Sequence, residues 1–116
     1  VDFGDGASEA GVVTNGTCRA NTHTYTDNGA FDVTISVTDK DGGMGTRTSS
    51  MVVNNVAPSL TSVANDGPIT EGGAGTITAT ASDVAAAADL LEYWFDCKGD
   101  GFWEVGPQSE DTADCT

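Results

Sequence analysis

The sequence predicts an all-β chain built from antiparallel strands. Apolar and polar residues alternate strictly through residues 31–38, which is the period of a strand with one buried face. The same alternation returns at residues 75–81, where threonines lie between Ile77, Ala79 and Ala81. Fifteen glycines, many of them beside Asp or Asn, supply the tight turns that a set of short strands needs.

The strand at residues 31–38 is predicted to be half of a hairpin. Turn-forming residues precede it at 27–29 and follow it at 39–43. A second strand is expected at residues 46–53, so residues 31–53 form an antiparallel pair.

The second half of the chain is harder to assign. Residues 82–89 are rich in alanine, but a run this short forms at most one helical turn. Residues 91–97 predict another strand. Every second residue lies on one face of it, namely Leu91, Tyr93, Phe95 and Cys97, and Trp94 lies on the opposite face.

The net charge of the chain excludes some classes of binding partner and favours others. Eighteen acidic residues against four Lys and Arg give a net charge of -14, so nucleic acid and anionic membrane surfaces are disfavoured. Converging carboxylates would instead suit divalent cations. No apolar run approaches the roughly 20 residues of a membrane helix, and 116 residues make a single core the default.

Three cysteines leave at least one without a partner in this chain. Cys97 and Cys115 enclose 17 residues, and a disulfide of that loop length contributes about 3 kcal/mol. Cys18 is then unpaired or bonded outside the chain; three reduced thiols are the alternative. A cysteine metal site is disfavoured because there is no CxxC spacing and His23 is the only histidine.

An internal repeat is the most informative pattern. Residues 1–6, Val-Asp-Phe-Gly-Asp-Gly, match residues 95–101, Phe-Asp-Cys-Lys-Gly-Asp-Gly, if Lys98 is an insertion. Thr17-Cys18 likewise matches Asp114-Cys115. The repeat length is therefore about 95 residues, close to the roughly 100 residues of one β-sandwich domain.

Three motifs resemble the signatures of PKD (polycystic-kidney-disease-type) domains. They are the Val-Asp-Phe-Gly-Asp-Gly motif, His-Thr-Tyr-Thr-Asp-Asn-Gly-Ala-Phe at residues 23–31, and Val-Thr-Ile-Ser-Val-Thr-Asp-Lys-Asp-Gly-Gly at residues 33–43. The resemblance covers residues 1–56, with Val1 in place of the usual Trp. The second half is similar to the opening strands of the same domain.

This resemblance implies an immunoglobulin-like antiparallel β-sandwich present as two incomplete tandem domains. Residues 1–58 would be the C-terminal part of the first domain, with a linker around 54–58, and residues 59–116 the N-terminal part of the second. Neither half closes its own sandwich. Either the chain is a window of a longer tandem array, or copies complete one another by strand complementation and build a filament.

Calcium is the one metal that the sequence suggests, and no cofactor is required. Residues 96–101 resemble a DxDxDG calcium loop, but Lys98 and Pro107 occupy ligand positions, so this is not an EF-hand. A solvated turn is the alternative. The candidate ligands are Asp96, Asp100 and Glu104. A second candidate set at the domain junction follows from the sandwich topology: Asp2, Asp5, Asp83 and Asp89.

Carbohydrate attachment has a separate sequence basis. Asn15-Gly16-Thr17 is an N-glycosylation sequon in a turn-rich stretch. Outward threonines are candidate O-linked acceptors, at positions 34, 38, 76, 78 and 80. The alternative is that these residues only make turns and strands.

No catalytic motif is present, and the chain is predicted not to be an enzyme. We expect a structural spacer or adhesion module of an extracellular or cell-surface tandem-repeat protein, with neighbouring PKD-like domains or copies of itself as partners. The alternative is a carbohydrate-binding or substrate-presenting accessory domain of a secreted hydrolase, in which Trp94 and Trp103 form an aromatic platform.

Overall fold

The structure is a computed structural model that describes residues 1–116, and it consists of β-strands and turns without any helix. The predicted all-β antiparallel fold is confirmed. Contacts between residues divide the chain into two compact units, residues 1–55 and residues 56–116. The chain contains no helix with the length and hydropathy needed to cross a bilayer.

Unit 1 (residues 1–55) contains two antiparallel hairpins. The strands are β1 (Val12–Thr14), β2 (Thr17–Arg19), β3 (Gly29–Thr38) and β4 (Met44–Val53). β1 and β2 are joined by Asn15 and Gly16, whose φ angles of 52° and 77° are those of a two-residue hairpin turn. β3 and β4 pair over ten residues each, from Gly29 opposite Val53 to Thr38 opposite Met44.

The two faces of the β3–β4 hairpin differ, as the alternating sequence predicts. On the outer face, hydroxyl pairs bond across the strands: the Oγ1 atoms of Thr34 and Thr48 are 2.9 Å apart. The inner face carries Phe31, Val33 and Ile35: Val33 and Ile35 line one pocket together with Phe3, and Phe31 stacks on Tyr25. Apolar burial on this face fixes the register, because a slip of one residue would turn it to solvent.

The N-terminal segment lies along the free edge of β3. Asp2 and Thr34 exchange two backbone N–H···O hydrogen bonds of 2.8 Å each. Phe3, only 8% exposed, is the single buried large apolar residue of unit 1. The core of this unit is therefore small.

Unit 2 (residues 56–116) has one three-stranded sheet and one pair of short strands. Its strands are β5 (Ser59–Asn65), β6 (Gly75–Ser82), β7 (Tyr93–Phe95), β8 (Val105–Gln108) and β9 (Thr112–Cys115). The sheet order is β5-β6-β9, and β7 pairs with β8. The core is formed by Ala79, Phe95 and Ala113, and the alanine-rich stretch before β7 forms turns only.

A disulfide joins Cys97 to Cys115, with the two Cα atoms 5.4 Å apart. It ties the segment after β7 to the last residue of β9. The strand predicted over residues 91–97 is shorter than expected, since β7 ends at Phe95. Cys18 is a free, half-buried thiol.

Candidate functional site

A loop of acidic residues opens unit 1, and we call residues 1–9 the first acidic loop. Asp2 Oδ1 accepts a hydrogen bond of 2.9 Å from the N–H of Gly4, and Asp5 Oδ1 accepts one of 3.0 Å from Ala7. The N–H of Glu9 closes the loop by donating to the carbonyl of Val1 at 2.9 Å. The carboxylates of Asp2 and Asp5 therefore each stabilise a turn of the backbone that follows them.

Residues 95–104 of unit 2, the second acidic loop, repeat this pattern. Asp96 Oδ1 accepts from the N–H of Gly99 at 2.6 Å, and Asp100 Oδ1 accepts from Phe102 at 3.0 Å. The N–H of Glu104 donates to the carbonyl of Phe95 at 3.0 Å. Three hydrogen bonds therefore occur at corresponding positions in the two loops.

The glycines of the loops correspond as well. Gly4 and Gly6 have φ angles of 82° and 92°, and Gly99 and Gly101 have 69° and 87°. Positive φ is sterically open to glycine and costly for other residues. The sequence alignment that treats Lys98 as the one inserted residue thus describes two loops of the same local structure.

The first acidic loop is held by aromatic residues from the segment before β3. The ring of His23 stacks on Phe3 with the ring centres 4.0 Å apart, and its Nε2 lies 2.7 Å from Asp5 Oδ2. Tyr25 donates its hydroxyl hydrogen bond, 3.1 Å long, to the carbonyl of Phe3. The hydrogen bond from His23 is the main cause that lowers the pKa of Asp5 below its ordinary value. His23 is occupied in packing and hydrogen bonding.

The second acidic loop has no such partners. The N–H groups of Gly101, Gly99 and Asp100 all donate to the carboxylate of Asp96, and the bond from Gly101 is the main cause that lowers the pKa of Asp96. The backbone N–H and carbonyl of Asp96 make no backbone hydrogen bond, whereas Asp2, its counterpart, bonds Thr34 through both.

Three of the predicted calcium ligands lie together. One oxygen each from Asp96, Asp100 and Glu104 lies within 4.8 Å of the other two. Glu104 also accepts a 2.8 Å hydrogen bond from the N–H of Cys97 and forms an ion pair with Lys98 at 3.3 Å. A cation would therefore compete with the ammonium of Lys98, and calcium binding here stays a prediction.

The residues predicted for the junction make local contacts within their own units. Asp2 and Asp5 hold the first acidic loop as described, and Asp83 accepts a 2.8 Å hydrogen bond from the N–H of Ala85. Their joint binding of calcium with Asp89 stays a prediction. Asn15, the predicted glycosylation site, is exposed in the β1–β2 turn.

Unit 2 also carries an open apolar groove of about 610 Å³. It lies over the exposed side of the small core, and Glu92 and Asp96 are its charged lining residues. Trp94 and Trp103 border it and are 44% and 66% exposed. The apolar walls are formed by Leu60, Val63, Ile77, Leu91, Tyr93 and Phe95.

A comparison with family models bears on the first unit. Residues 1–54 match the model of the PKD domain. The match is consistent with a PKD-type domain in this part of the chain. A PKD domain is in general a non-catalytic module of extracellular proteins. No curated protein and no solved structure matches the chain.

The PKD match covers the β3–β4 hairpin and the first acidic loop. The membership of unit 2 in the same family rests on the second acidic loop and stays a prediction. Sequence reasoning missed two features of these loops: the contact of His23 with Asp5, and the unpaired backbone of Asp96. No sequence pattern signals the first feature, and residue-by-residue comparison of the two copies points to the second.

Proposed function

We propose that this chain is a structural spacer or adhesion module of an extracellular, cell-surface protein built from tandem PKD-like domains. The acidic loop that occurs once in each unit, with three corresponding hydrogen bonds, is the observation that carries the proposal. A structural element recurring at a fixed spacing is the mark of a repeat array. Neighbouring PKD-like domains, or copies of the chain, are the partners of such an array.

The chemistry of the surface supports a non-catalytic role. The only histidine is engaged by Asp5 and Phe3, so it is a poor candidate for a general base. The lowered pKa values of Asp5 and Asp96 keep both carboxylates ionised and suit hydrogen-bond acceptors rather than general acids. A net charge of -14 favours solubility and repulsion between anionic surfaces.

The location and the flanking sequence test this proposal. Antibodies against the chain should label intact source cells, and the parent gene should encode further repeats of about 95 residues on at least one side. An antibody signal confined to the medium, together with an adjoining hydrolase sequence, would contradict the spacer and favour the alternative.

The alternative is a carbohydrate-binding accessory module. Its support is the pair of exposed tryptophans, Trp94 and Trp103, on the border of one apolar groove. Aromatic faces of this kind combine apolar contact with a polar edge. Affinity electrophoresis on polysaccharides tests it: Trp103→Ala should lose retardation, whereas Phe102→Ala, at an exposed residue outside the groove, should not.

A further inference from the structure

Two Asn–Gly pairs occur in unit 1: Asn15–Gly16 in the β1–β2 turn, and Asn28–Gly29 at the start of β3. Asparagine is a thermolabile residue. The backbone nitrogen of the next residue attacks its side-chain amide carbon, and glycine has no side chain to shield that nitrogen. The two pairs share this chemistry, so the structure around each glycine decides which asparagine reacts.

The backbone nitrogen of Gly16 is free and accessible. Its N–H takes part in no hydrogen bond, and both Asn15 and Gly16 are exposed. Apart from the two neighbouring residues, no atom lies within 4 Å of the position that a Cβ on Gly16 would occupy. The attacking nitrogen and the space for a ring between the two residues are therefore both available.

The β1–β2 hairpin gives Asn15 the freedom to react. The turn holds Asn15 at a φ angle of 52°, and ring closure requires rotation about the bond between its Cα and its carbonyl carbon. Each strand is only three residues long, every residue of β1 is exposed, and only Cys18 of β2 is half-buried. A two-stranded hairpin of this size is marginally stable, so its turn opens locally while the rest of unit 1 stays folded.

Asn28, although exposed, precedes a glycine that is held in place. The backbone of Thr34 bonds the N-terminal segment instead of β4, so Gly29, an odd number of residues away, faces β4 in a hydrogen-bonded pair with Val53. Gly29 is half-buried, and a Cβ placed on it would lie 3.3 Å from the ring of Phe31. The nitrogen of Gly29 is therefore tied into a ten-residue ladder and partly covered by an aromatic ring.

We propose that Asn15 is a site of non-enzymatic modification by water. The nitrogen of Gly16 forms a bond to Cγ of Asn15, and the bond from Cγ to the side-chain amide nitrogen breaks. A succinimide ring results, and the amide nitrogen leaves as ammonia with the proton that Gly16 gives up. One water molecule then opens the ring at either carbonyl carbon, which gives aspartate or isoaspartate. This site goes beyond the proposed function and does not depend on it.

The modification excludes glycosylation of the same residue. Asn15 is the acceptor of the sequon Asn15-Gly16-Thr17, and the amide nitrogen that would carry the glycan is the group that leaves. Each molecule therefore carries either a glycan or a carboxylate at position 15. Isoaspartate also inserts a methylene group into the main chain of a two-residue turn, and turn geometry fixes the register of a hairpin, so we expect it to disturb the β1–β2 pairing.

Peptide mapping of aged protein tests the site. The chain is produced in a bacterial host without N-glycosylation and incubated, folded, in mildly alkaline buffer made with heavy-oxygen water. Trypsin cleaves after Lys and Arg, so the two Asn–Gly pairs fall in separate peptides, residues 1–19 and 20–40. Mass spectrometry measures the conversion of each asparagine and the oxygen taken up from water. We expect conversion in residues 1–19 to be about fivefold faster, the factor that corresponds to one backbone hydrogen bond of about 1 kcal/mol.

A matched pair of variants checks the attacking nitrogen. Gly16→Ala should suppress the conversion of Asn15, because the added methyl group shields the nitrogen, whereas Gly29→Ala should leave the conversion of Asn15 unchanged. Loss of the hairpin in Gly16→Ala would expose Asn15 further, so unfolding of this variant cannot produce the suppression. Conversion of Asn15 at the wild-type rate in Gly16→Ala would overturn the inference.

Unfolding separates the effect of structure from that of sequence. In guanidinium chloride the two peptides should convert at equal rates, since both asparagines precede glycine. Equal rates in the folded chain, faster conversion of Asn28, or a difference that persists in the denaturant would each overturn the inference. So would a folded chain in which Asn15 stays intact over the time in which the denatured chain converts it.

Discussion

His23 Nε2 lies 2.7 Å from Asp5 Oδ2, and this contact joins the first acidic loop to the segment that leads into β3. An ionised carboxylate only accepts hydrogen bonds, so the imidazole is the donor. The same ring stacks on Phe3, the buried residue of the loop. The His23 side chain therefore contributes both a hydrogen bond to a carboxylate and apolar packing in unit 1.

The first prediction separates these two contributions. His23→Phe keeps a ring against Phe3 but removes the hydrogen bond, so the pKa of Asp5 should rise towards its ordinary value. Carboxyl-carbon NMR titration measures this pKa directly. Asp5→Asn, which keeps an acceptor oxygen and cannot titrate, is the control for the assignment. An unchanged pKa of Asp5 in His23→Phe would contradict the role of the imidazole.

The same pair predicts a pH dependence of stability. The folded-state pKa of Asp5 is lowered, so its contribution is present above the ordinary carboxyl pKa of about 4 and is lost as the pH falls through the folded value. Chemical denaturation should therefore show that the wild type has a larger free energy of unfolding than His23→Phe at about pH 5. This difference in free energy should be smaller at about pH 2.5. An equal difference in the free energy of unfolding at both pH values would contradict this linkage.

A second prediction uses two glycines of the first acidic loop as a matched pair. A Cβ at Gly4 would lie 2.8 Å from the backbone N and O of Asp32, whereas one at Gly6 meets nothing within 4 Å. Both have positive φ, which costs a non-glycine residue about 1–2 kcal/mol. Gly4→Ala adds a backbone clash of about 1–3 kcal/mol.

Urea unfolding of the two alanine variants measures the difference. Gly4→Ala should lower the free energy of unfolding of unit 1 clearly more than Gly6→Ala does. Equal losses would mean that the loop does not pack against β3 at Asp32 as the structure has it.

A third prediction concerns the disulfide of unit 2. The buried core of this unit is only Ala79, Phe95 and Ala113, so the cross-link carries a large share of its stability. Replacing Cys115 by Ser should cost about 3 kcal/mol, given the 18-residue separation of the two cysteines. Thermal unfolding with and without reductant measures it. Cys18→Ser is the control and should change little; a reductant-insensitive midpoint of unit 2 would contradict the prediction.

The sequence predicted the strands whose alternation is unbroken and missed those where it is interrupted. β3 and β6 follow the two-residue period over at least seven residues each, whereas β4 was predicted as the hairpin partner that follows β3. β5 was missed because a register shift between Leu60 and Ser62 breaks the period. β8 was missed because Gly106 and Pro107 disfavour a strand, although an edge position tolerates them.

The sequence predicted which residues form the two acidic loops but not which contacts those residues make. The repeat of residues 1–6 at residues 95–101 located both acidic loops, and Glu104 was a candidate ligand from the start. The pairing of His23 with Asp5 spans 18 residues and involves ring stacking, which periodicity does not encode. The strand containing Leu91 to Cys97 was overestimated because the carboxylate of Asp96 folds the chain into a turn directly after β7.

The last prediction concerns calcium at the second acidic loop. Asp96, Asp100 and Glu104 converge within 4.8 Å, but Ca²⁺ needs six to eight oxygens, and the carboxylate of Asp96 already accepts three backbone N–H groups. We therefore expect weak binding, with a dissociation constant of about 10⁻⁴–10⁻³ M as in other extracellular modules. Millimolar calcium should raise the midpoint of thermal unfolding.

Lys98 is the residue that decides whether this effect belongs to the second acidic loop. Its ammonium pairs with Glu104 at 3.3 Å, and an exposed pair of this kind is worth at most about 1 kcal/mol. Lys98→Ala should therefore tighten calcium binding by up to roughly fivefold, which isothermal titration measures. Asp100→Asn should abolish it, whereas Asp83→Asn tests the predicted junction site and should leave this one unchanged. If neither wild type nor Lys98→Ala binds at millimolar calcium, the three carboxylates serve only to hold the turn through their backbone hydrogen bonds.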